Sequence, residues 1–253
     1  MYLLVDIGNT RAKWALADGL SLHSHAASSH DELAAAMRRY LIEHSPSITA
    51  TLVANVAGPS LEQTLTTVLR EHNTREPRYL LSSRELCGIR NAYRVPERLG
   101  VDRWVAMIGA RHSIAGPLCV VSVGTAMTID VLDATAQHLG GLIVPGPQLL
   151  ISSLLTNTSD IAPRAQQGER DHELLAIDTL GAITQGAEQM LVALVERVTS
   201  ALEARLGAAL TLVLTGGACD SIQPLLRNPF IVVPDLTLRG LATVASHTPN
   251  KDS

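Results

Sequence analysis

The chain has 253 residues, of which 46% are apolar, 17% charged and only 3% aromatic, enough for one large or two small domains with aliphatic cores. A net charge of −4 and scattered Lys and Arg exclude a basic nucleic-acid footprint. No run of 18 apolar residues and no basic-then-apolar N-terminus occur, and three widely spaced cysteines (Cys87, Cys119, Cys219) argue against both a disulfide framework and a zinc site, so a soluble, cytoplasmic protein is expected.

The first elements carry the main signal. Leu3 to Ile7 is an apolar run holding one acid, Asp6; a polar turn with Gly8 follows, and an alternating run leaves through Trp14 to Leu16. This predicts a strand, a turn and a returning strand. Gly8 has no Cβ to keep a ligand off the backbone. Turn amides with Asn9 and Thr10 can bind anionic oxygens, Asp6 can hold a cation or its waters, and Lys13 adds a mobile positive charge. A plain hairpin with a polar turn explains the stretch equally well when it is taken alone.

A third strand is expected over Leu20–Ala27. A helix capped by Ser29 or Asp31 then runs to His44 with Leu33, Met37, Tyr40 and Leu41 on its apolar face. Thr51–Val56 reads as a buried strand. Pro59 opens a second helix striped by Leu61, Leu65, Val68 and Leu69, and Arg78–Leu81 reads as a strand. Residues 83–100 read as loop. A helix then enters through Gly100-Val101-Asp102-Arg103, where Asp102 fits a helix cap as well as a catalytic acid.

From Pro117 the pattern repeats. Strands are expected at Leu118–Val123, Met127–Leu132 and His138–Val144, and a helix over Gln148–Leu155. Residues 157–172 read as irregular. A long helix over Leu174–Leu206 carries a stripe of Met190, Leu191, Leu194, Val195 and Val198, and Leu210–Leu214 is a strand ending in Thr215-Gly216-Gly217. A short helix, a strand at Phe230–Val233, a helix over Leu236–Ala245 and a frayed tail from Thr248 complete the chain. Val121-Ser122-Val123-Gly124 aligns on Val5-Asp6-Ile7-Gly8, which makes the two halves a duplication, residues 1–115 and 116–253. No GxxxxGK[ST] and no GxGxxG is present, which removes the P-loop and Rossmann readings. The nine histidines show no metal spacing, and Trp14 and Trp104 read as packing anchors.

Paired strand–turn–strand units and a late Gly-Gly turn resemble the acetate and sugar kinase, Hsp70 and actin superfamily. That implies an α/β fold of two duplicated βββαβαβα domains of the actin-like ATPase (ribonuclease H-like) type, with ATP in an interdomain cleft. Asp6-Ile7-Gly8-Asn9-Thr10-Arg11-Ala12-Lys13, Tyr93, Gly100-Val101-Asp102-Arg103, Gly124-Thr125-Ala126, Gly140-Gly141 to Gly146 and Thr215-Gly216-Gly217, in that order, resemble type III pantothenate kinase. The resemblance implies transfer of the ATP γ-phosphate to pantothenate, with Mg²⁺ placed by Asp6 through water and Asp102 as general base. It further implies that Asp6 to Lys13 and Thr125 bind ATP and that Tyr93, Gly100, Val101, Asp102, Arg103 and Thr179 bind substrate. A homodimer with its substrate pocket near the interface is also implied, and no nucleic-acid or membrane partner.

Two departures stand out. The family's usual Asp ligand for an activating K⁺ or NH₄⁺ is Ser122 here, so that cation binds through other oxygens or the site is altered; Asp130 is a candidate for compensating negative charge. Asp178 stands where the family usually has Asn. A second reading of the same residues is a non-catalytic ATP-binding accessory or regulatory protein, and a third is another small-molecule kinase or phosphohydrolase of the superfamily.

Overall fold

The computed structural model describes residues 1–165 and 174–247. In chain order the strands and helices are β1 (Tyr2–Ile7), β2 (Arg11–Asp18), β3 (Ser21–Ser29), α1 (Leu33–His44), β4 (Ala50–Asn55), α2 (Pro59–Glu71), β5 (Arg78–Tyr79), β6 (Glu85–Leu86), β7 (Ile89–Arg90) and α3 (Val101–Ser113). They continue with β8 (Leu118–Val123), β9 (Ala126–Leu132), β10 (His138–Pro145), α4 (Pro147–Asn157), α5 (Ile161–Arg164), α6 (Thr179–Leu206), β11 (Thr211–Thr215), β12 (Phe230–Val232) and α7 (Leu236–His247).

The chain forms two compact units. Unit 1 holds Met1–Ala115, Ala134–Gly140 and the segment from Asp235; unit 2 holds Gly116–Asp133 and Gly141–Pro234. The sheet of unit 1 has the order β3-β2-β1-β4-β5, with β1 antiparallel to β2 and parallel to β4. The second sheet repeats it as β10-β9-β8-β11-β12, with β8 antiparallel to β9 and parallel to β11. The duplication read from the sequence is thus a duplication of topology.

β1 is apolar almost throughout because both faces of its sheet are covered. Leu3, Val5 and Ile7 lie in one core with Leu33, Met37 and Leu41 of α1 and Leu65, Val68 and Leu69 of α2. The opposite face meets α3 and α7, which pack on each other and on β1 and β4. Two glycines let those helices approach closely: a Cβ on Gly109 would stand 2.6 Å from the Leu236 carbonyl oxygen, and one on Gly240 would strike the Val105 carbonyl. In β1 the side chains alternate, so Leu4 and Asp6 share the face of α3 and α7.

Several local expectations change. The C-terminal helix, expected within the second half (116–253), belongs to unit 1, because its apolar face is buried on α3 and β1. Neither Ser29 nor Asp31 caps α1; Glu32 stands at the cap and makes no side-chain bond. β5 stops at Tyr79 and leaves Leu81 72% exposed. Residues 83–100 are not plain loop: β6 and β7 pair, and the Arg84 guanidinium donates to the carbonyls of Asn91, Tyr93 and Arg94. Residues 174–178 precede α6 rather than belonging to it, and Met190 is off the buried stripe, which runs through Ile183, Ala187, Leu191 and Val195. The short helix after β11 is two single 3-10 turns, Cys219–Ser221 and Gln223–Leu225. Residues 166–172 of the stretch expected to be irregular, and the tail from Thr248, lie outside the described residues.

Candidate active site

In unit 1 the site grows from the end of β1. Asp6 pairs in register with Lys13 across the β1–β2 hairpin, so both side chains leave the same face. The turn between the strands is closed by the Gly8 N–H donating to the Arg11 carbonyl, at 3.0 Å. Asn9, Thr10 and Arg11 are exposed, Ile7 and Ala12 are core, and the Gly8 carbonyl accepts from His30 Nε2 at 2.9 Å.

Because that face meets α3 and α7, Asp6 meets groups from both helices. The residue keeps some exposed surface, yet burial pushes its carboxyl up from 3.8 to about 7, and the charge of Asp102 pushes in the same direction. Lys13 and a hydrogen bond from the Thr237 hydroxyl pull the other way. Two carboxyls that resist ionising together, with a lysine beside them, suit a divalent cation and its phosphate ligands. Among the described residues no group of three or more His, Cys, Asp or Glu is placed to hold a metal, so any ion here takes most of its ligands from water or phosphate.

Asp102 lies in the first turn of α3 and is not its cap; Gly100 is. The Asp102 carboxylate turns back on its own helix start, where Oδ1 accepts from the Arg103 N–H at 2.8 Å. A Cβ on Gly100 would stand 2.7 Å from that oxygen, so the Asp102 carboxylate lies close over the helix start. Val101 is core. Arg103 is buried, and its Nη1 donates to the Tyr93 hydroxyl at 3.1 Å while the guanidinium lies 5.9 Å from the ring centroid. Behind Tyr93 the buried His138 ring stacks at 6.1 Å. The loop carrying Tyr93 is built from within: Asn91 accepts from the Tyr93 N–H and donates to the Ser83 and Pro96 carbonyls.

Asp6, Lys13, Asp102 and Arg103, with Tyr93, are therefore parts of one unit. The sequence reading missed Thr237, His30, Arg84 and Asn91. Nothing in the local sequence marks Thr237, because its contact depends on how closely α7 crosses α3.

Unit 2 carries a second cluster around the β8–β9 turn. The Gly124 N–H donates to the Ala126 carbonyl and the Gly146 N–H to the Thr125 carbonyl. A Cβ on Gly146 would strike the Gly124 carbonyl, and one on Gly216 (φ +99°) would strike the Val123 carbonyl, to which Ala218 N–H donates. The Gly-rich segments at 146 and 216 thus both pack on the turn that presents Thr125, itself exposed. Ser122 pairs with Thr128 on one side and Thr215 on the other, a row of three hydroxyl residues on one face of the sheet. Asp130 shares that face two residues along β9 but is 2% exposed. Thr179 opens α6, and the Asp178 carboxylate caps the helix by accepting from the Gly181 N–H at 2.8 Å. Asn and Asp serve this role alike, so the departure at 178 leaves the local structure intact.

Comparison with known proteins identifies the arrangement. A family model described as type III pantothenate kinase matches residues 2–201. A type III pantothenate kinase of Nitrosococcus oceani is 38% identical, covering 98% of this chain and 95% of its own, and one of Aromatoleum aromaticum is 36% identical, covering 97% and 98%. Among solved structures, a Campylobacter jejuni protein described as a Baf family transcriptional activator superposes with a TM-score of 0.61 at 22% identity, covering 98% of this chain and 99% of that one. The activator of 2-hydroxyisocaproyl-CoA dehydratase from Clostridium difficile, with bound ADPNP, gives 0.54 at 12%, covering 97% and 93%. These two structural likenesses establish the actin-like ATPase fold; the sequence matches establish that the chain belongs to the type III pantothenate kinase family.

Proposed function

We propose that this chain transfers the γ-phosphoryl group of ATP to the primary hydroxyl of pantothenate, giving 4′-phosphopantothenate for coenzyme A synthesis. The observation that carries the reading is the closeness of Asp102, in the first turn of α3, to Asp6 near the end of β1, where the two carboxyls repel each other, within a chain that matches the family over nearly its whole length. Phosphoryl transfer asks the protein chiefly for alignment and charge neutralisation. Asp102 accepts the hydroxyl proton late, as the new O–P bond forms and the bond from the γ-phosphorus to ADP breaks. A carboxylate is a weak base, but a loose transition state demands little activation of the nucleophile.

Asp6 to Lys13 take the nucleotide phosphates, and Thr125 with the Thr215–Ala218 turn belongs to ATP as the family resemblance implies. Mg²⁺, held by Asp6 through water, would neutralise charge on the transferring phosphates. Arg103 takes the pantothenate carboxylate; Tyr93 holds its guanidinium ready, and Gly100 and Val101 form the adjoining wall. Thr179 adds a substrate contact beside a homodimer interface. Exposed Leu142, Ile143, Leu149, Leu154 and Met190 of unit 2 support burial against a second copy. With Ser122 in the hydroxyl row, K⁺ or NH₄⁺ either binds through carbonyls and other oxygens or meets an altered site. The working compartment is the cytoplasm; no helix among the described residues is long and apolar enough to cross a membrane.

The test is turnover with ATP, Mg²⁺ and pantothenate, with and without K⁺, beside Asp102→Asn. The variant should lose about 10²- to 10⁴-fold in kcat, the range for a positioned proton acceptor, and keep its nucleotide affinity. A folded wild type that binds ATP and never phosphorylates pantothenate would overturn the proposal in favour of a regulatory role.

A further inference from the structure

We infer that His30 is a positioning residue for the phosphate turn: by holding the Gly8 carbonyl it aims the next backbone amide outward as a phosphate donor. The inference rests on reading Gly8 to Lys13 as the turn that takes the ATP phosphates.

His30 follows β3 directly. β2 and β3 stay paired up to Arg11 and Ser29, so the end of β3 arrives beside the turn and His30 is the first residue past the ladder. It is half-buried there, with Nε2 2.9 Å from the Gly8 oxygen. A carbonyl only accepts, so Nε2 carries the hydrogen.

The consequence follows from the peptide bond. In a planar trans peptide the C=O and the N–H point in opposite directions. The Gly8 carbonyl and the Asn9 amide belong to one such unit, so fixing the oxygen on His30 directs the Asn9 N–H to the other side. The Gly8 N–H is already spent on the Arg11 carbonyl, whereas no acceptor among the described residues takes the Asn9 N–H. Asn9 and Thr10 are exposed. An oriented, exposed amide of this kind is what anion-binding turns offer. Beside a glycine the same peptide can rotate at little steric cost, and the rotated form would present the carbonyl oxygen to the phosphates. His30 therefore both supplies the attractive orientation and excludes the repulsive one.

The test is calorimetric titration of the full chain with Mg²⁺ and a non-hydrolysable ATP analogue, for wild type, His30→Ala and His30→Gln. It is paired with KM values for ATP and pantothenate and with melting temperatures. His30→Ala should bind the analogue about tenfold more weakly and raise the KM for ATP alike, as expected when a donor is no longer preorganised. Its KM for pantothenate should hold, with a melting temperature within a few degrees of wild type. His30→Gln, whose amide nitrogen can stand in for Nε2, should restore affinity to within about threefold of wild type. Wild-type binding with no loss in His30→Ala overturns the inference alone. Equal losses in both variants, or a loss that comes with unfolding or with both KM values, assign His30 to packing and also overturn it. A wild type that binds no nucleotide removes the phosphate-turn reading and this inference together.

Discussion

The two hairpin turns share a topology and differ in chemistry. Asp6 and Ser122 each stand two residues before a glycine, on the central strand of equivalent sheets, and each pairs with a residue of the returning strand: Lys13 in one case, Thr128 in the other. Each glycine closes its turn through its own N–H, Gly8 to the Arg11 carbonyl and Gly124 to the Ala126 carbonyl, so the first turn is one residue longer. The first turn is ringed by charge: Asp102 and Lys13 both act on Asp6. The second has a neutral hydroxyl row and is braced by the close backbone packing of Gly146 and Gly216. Duplication supplied the same frame twice, and the unit 1 copy carries the charges to which the proposed function assigns phosphoryl transfer.

The sharpest way to break this comparison is to neutralise each acid-equivalent position in turn. Asp6→Asn should lower kcat by about 10²- to 10³-fold, the scale for removing an electrostatic contact to a transferring group, with folding intact. Steady-state turnover beside a melting curve checks it; an active Asp6→Asn enzyme would remove Asp6 from the chemistry.

The glycines make the second contrast. Neither Gly8 nor Gly124 has a positive φ, and a Cβ on Gly8 would come no closer than 3.4 Å to the Arg11 carbonyl. The fold does not require glycine at position 8; on the proposed function the phosphates do. Gly8→Ala should keep its melting temperature and raise the KM for ATP. Gly146→Ala should do the reverse at the other turn, because its Cβ would strike the Gly124 carbonyl: a loss of about 1–3 kcal/mol is expected in denaturant unfolding. Equal stability losses in the two variants would refute the contrast.

The charge of unit 1 also leaves a mark on stability. The folded Asp6 carboxyl titrates at about 7, against 3.8 as its ordinary value. The folded state then keeps a proton that the unfolded chain has already released, so this group favours folding at low pH. That contribution fades as pH rises from about 4 to about 7. In metal-free buffer Asp6→Asn should therefore gain melting temperature over wild type at pH 8 and lose that advantage at pH 4. A gain that does not change with pH would assign it to packing instead.

Legibility follows the range of the forces involved. The hairpins and the helix stripes of α1 and α2 could be read from periodicity, because each is settled within a few residues. Asp102, Arg103 and Tyr93 were readable as motifs. Their grouping was not, because Arg103 reaches the Tyr93 hydroxyl only when Arg84 and Asn91 have folded the loop between them. Thr237 was invisible for the same reason at larger scale: α7 ends the chain but is buried in unit 1, and Gly109 and Gly240 set how closely it lies on α3. Met190 failed because several periodic sets overlap on a long helix, and only the elements it packs on, α4 among them, decide which of them is buried.

The smallest effect is expected at Ser122. Its hydroxyl is one of three in the row with Thr128 and Thr215, so Ser122→Ala leaves two neighbours and removes no charge. Turnover should fall no more than about tenfold, since a neutral hydrogen bond contributes about 0.5–1.5 kcal/mol at most to what it stabilises. Ser122→Asp is the informative partner, because it places a carboxylate between two hydroxyls at the position equivalent to Asp6. If the row can hold a monovalent cation, that variant should gain a dependence of kcat on K⁺ that wild type lacks or shows weakly, read as turnover in K⁺ against turnover in a bulky organic cation at equal ionic strength. Indifference to K⁺ in both proteins would mean that the second turn works through its backbone alone. The difference between the two hairpins would then be one of kind, with charge in unit 1 and backbone shape in unit 2.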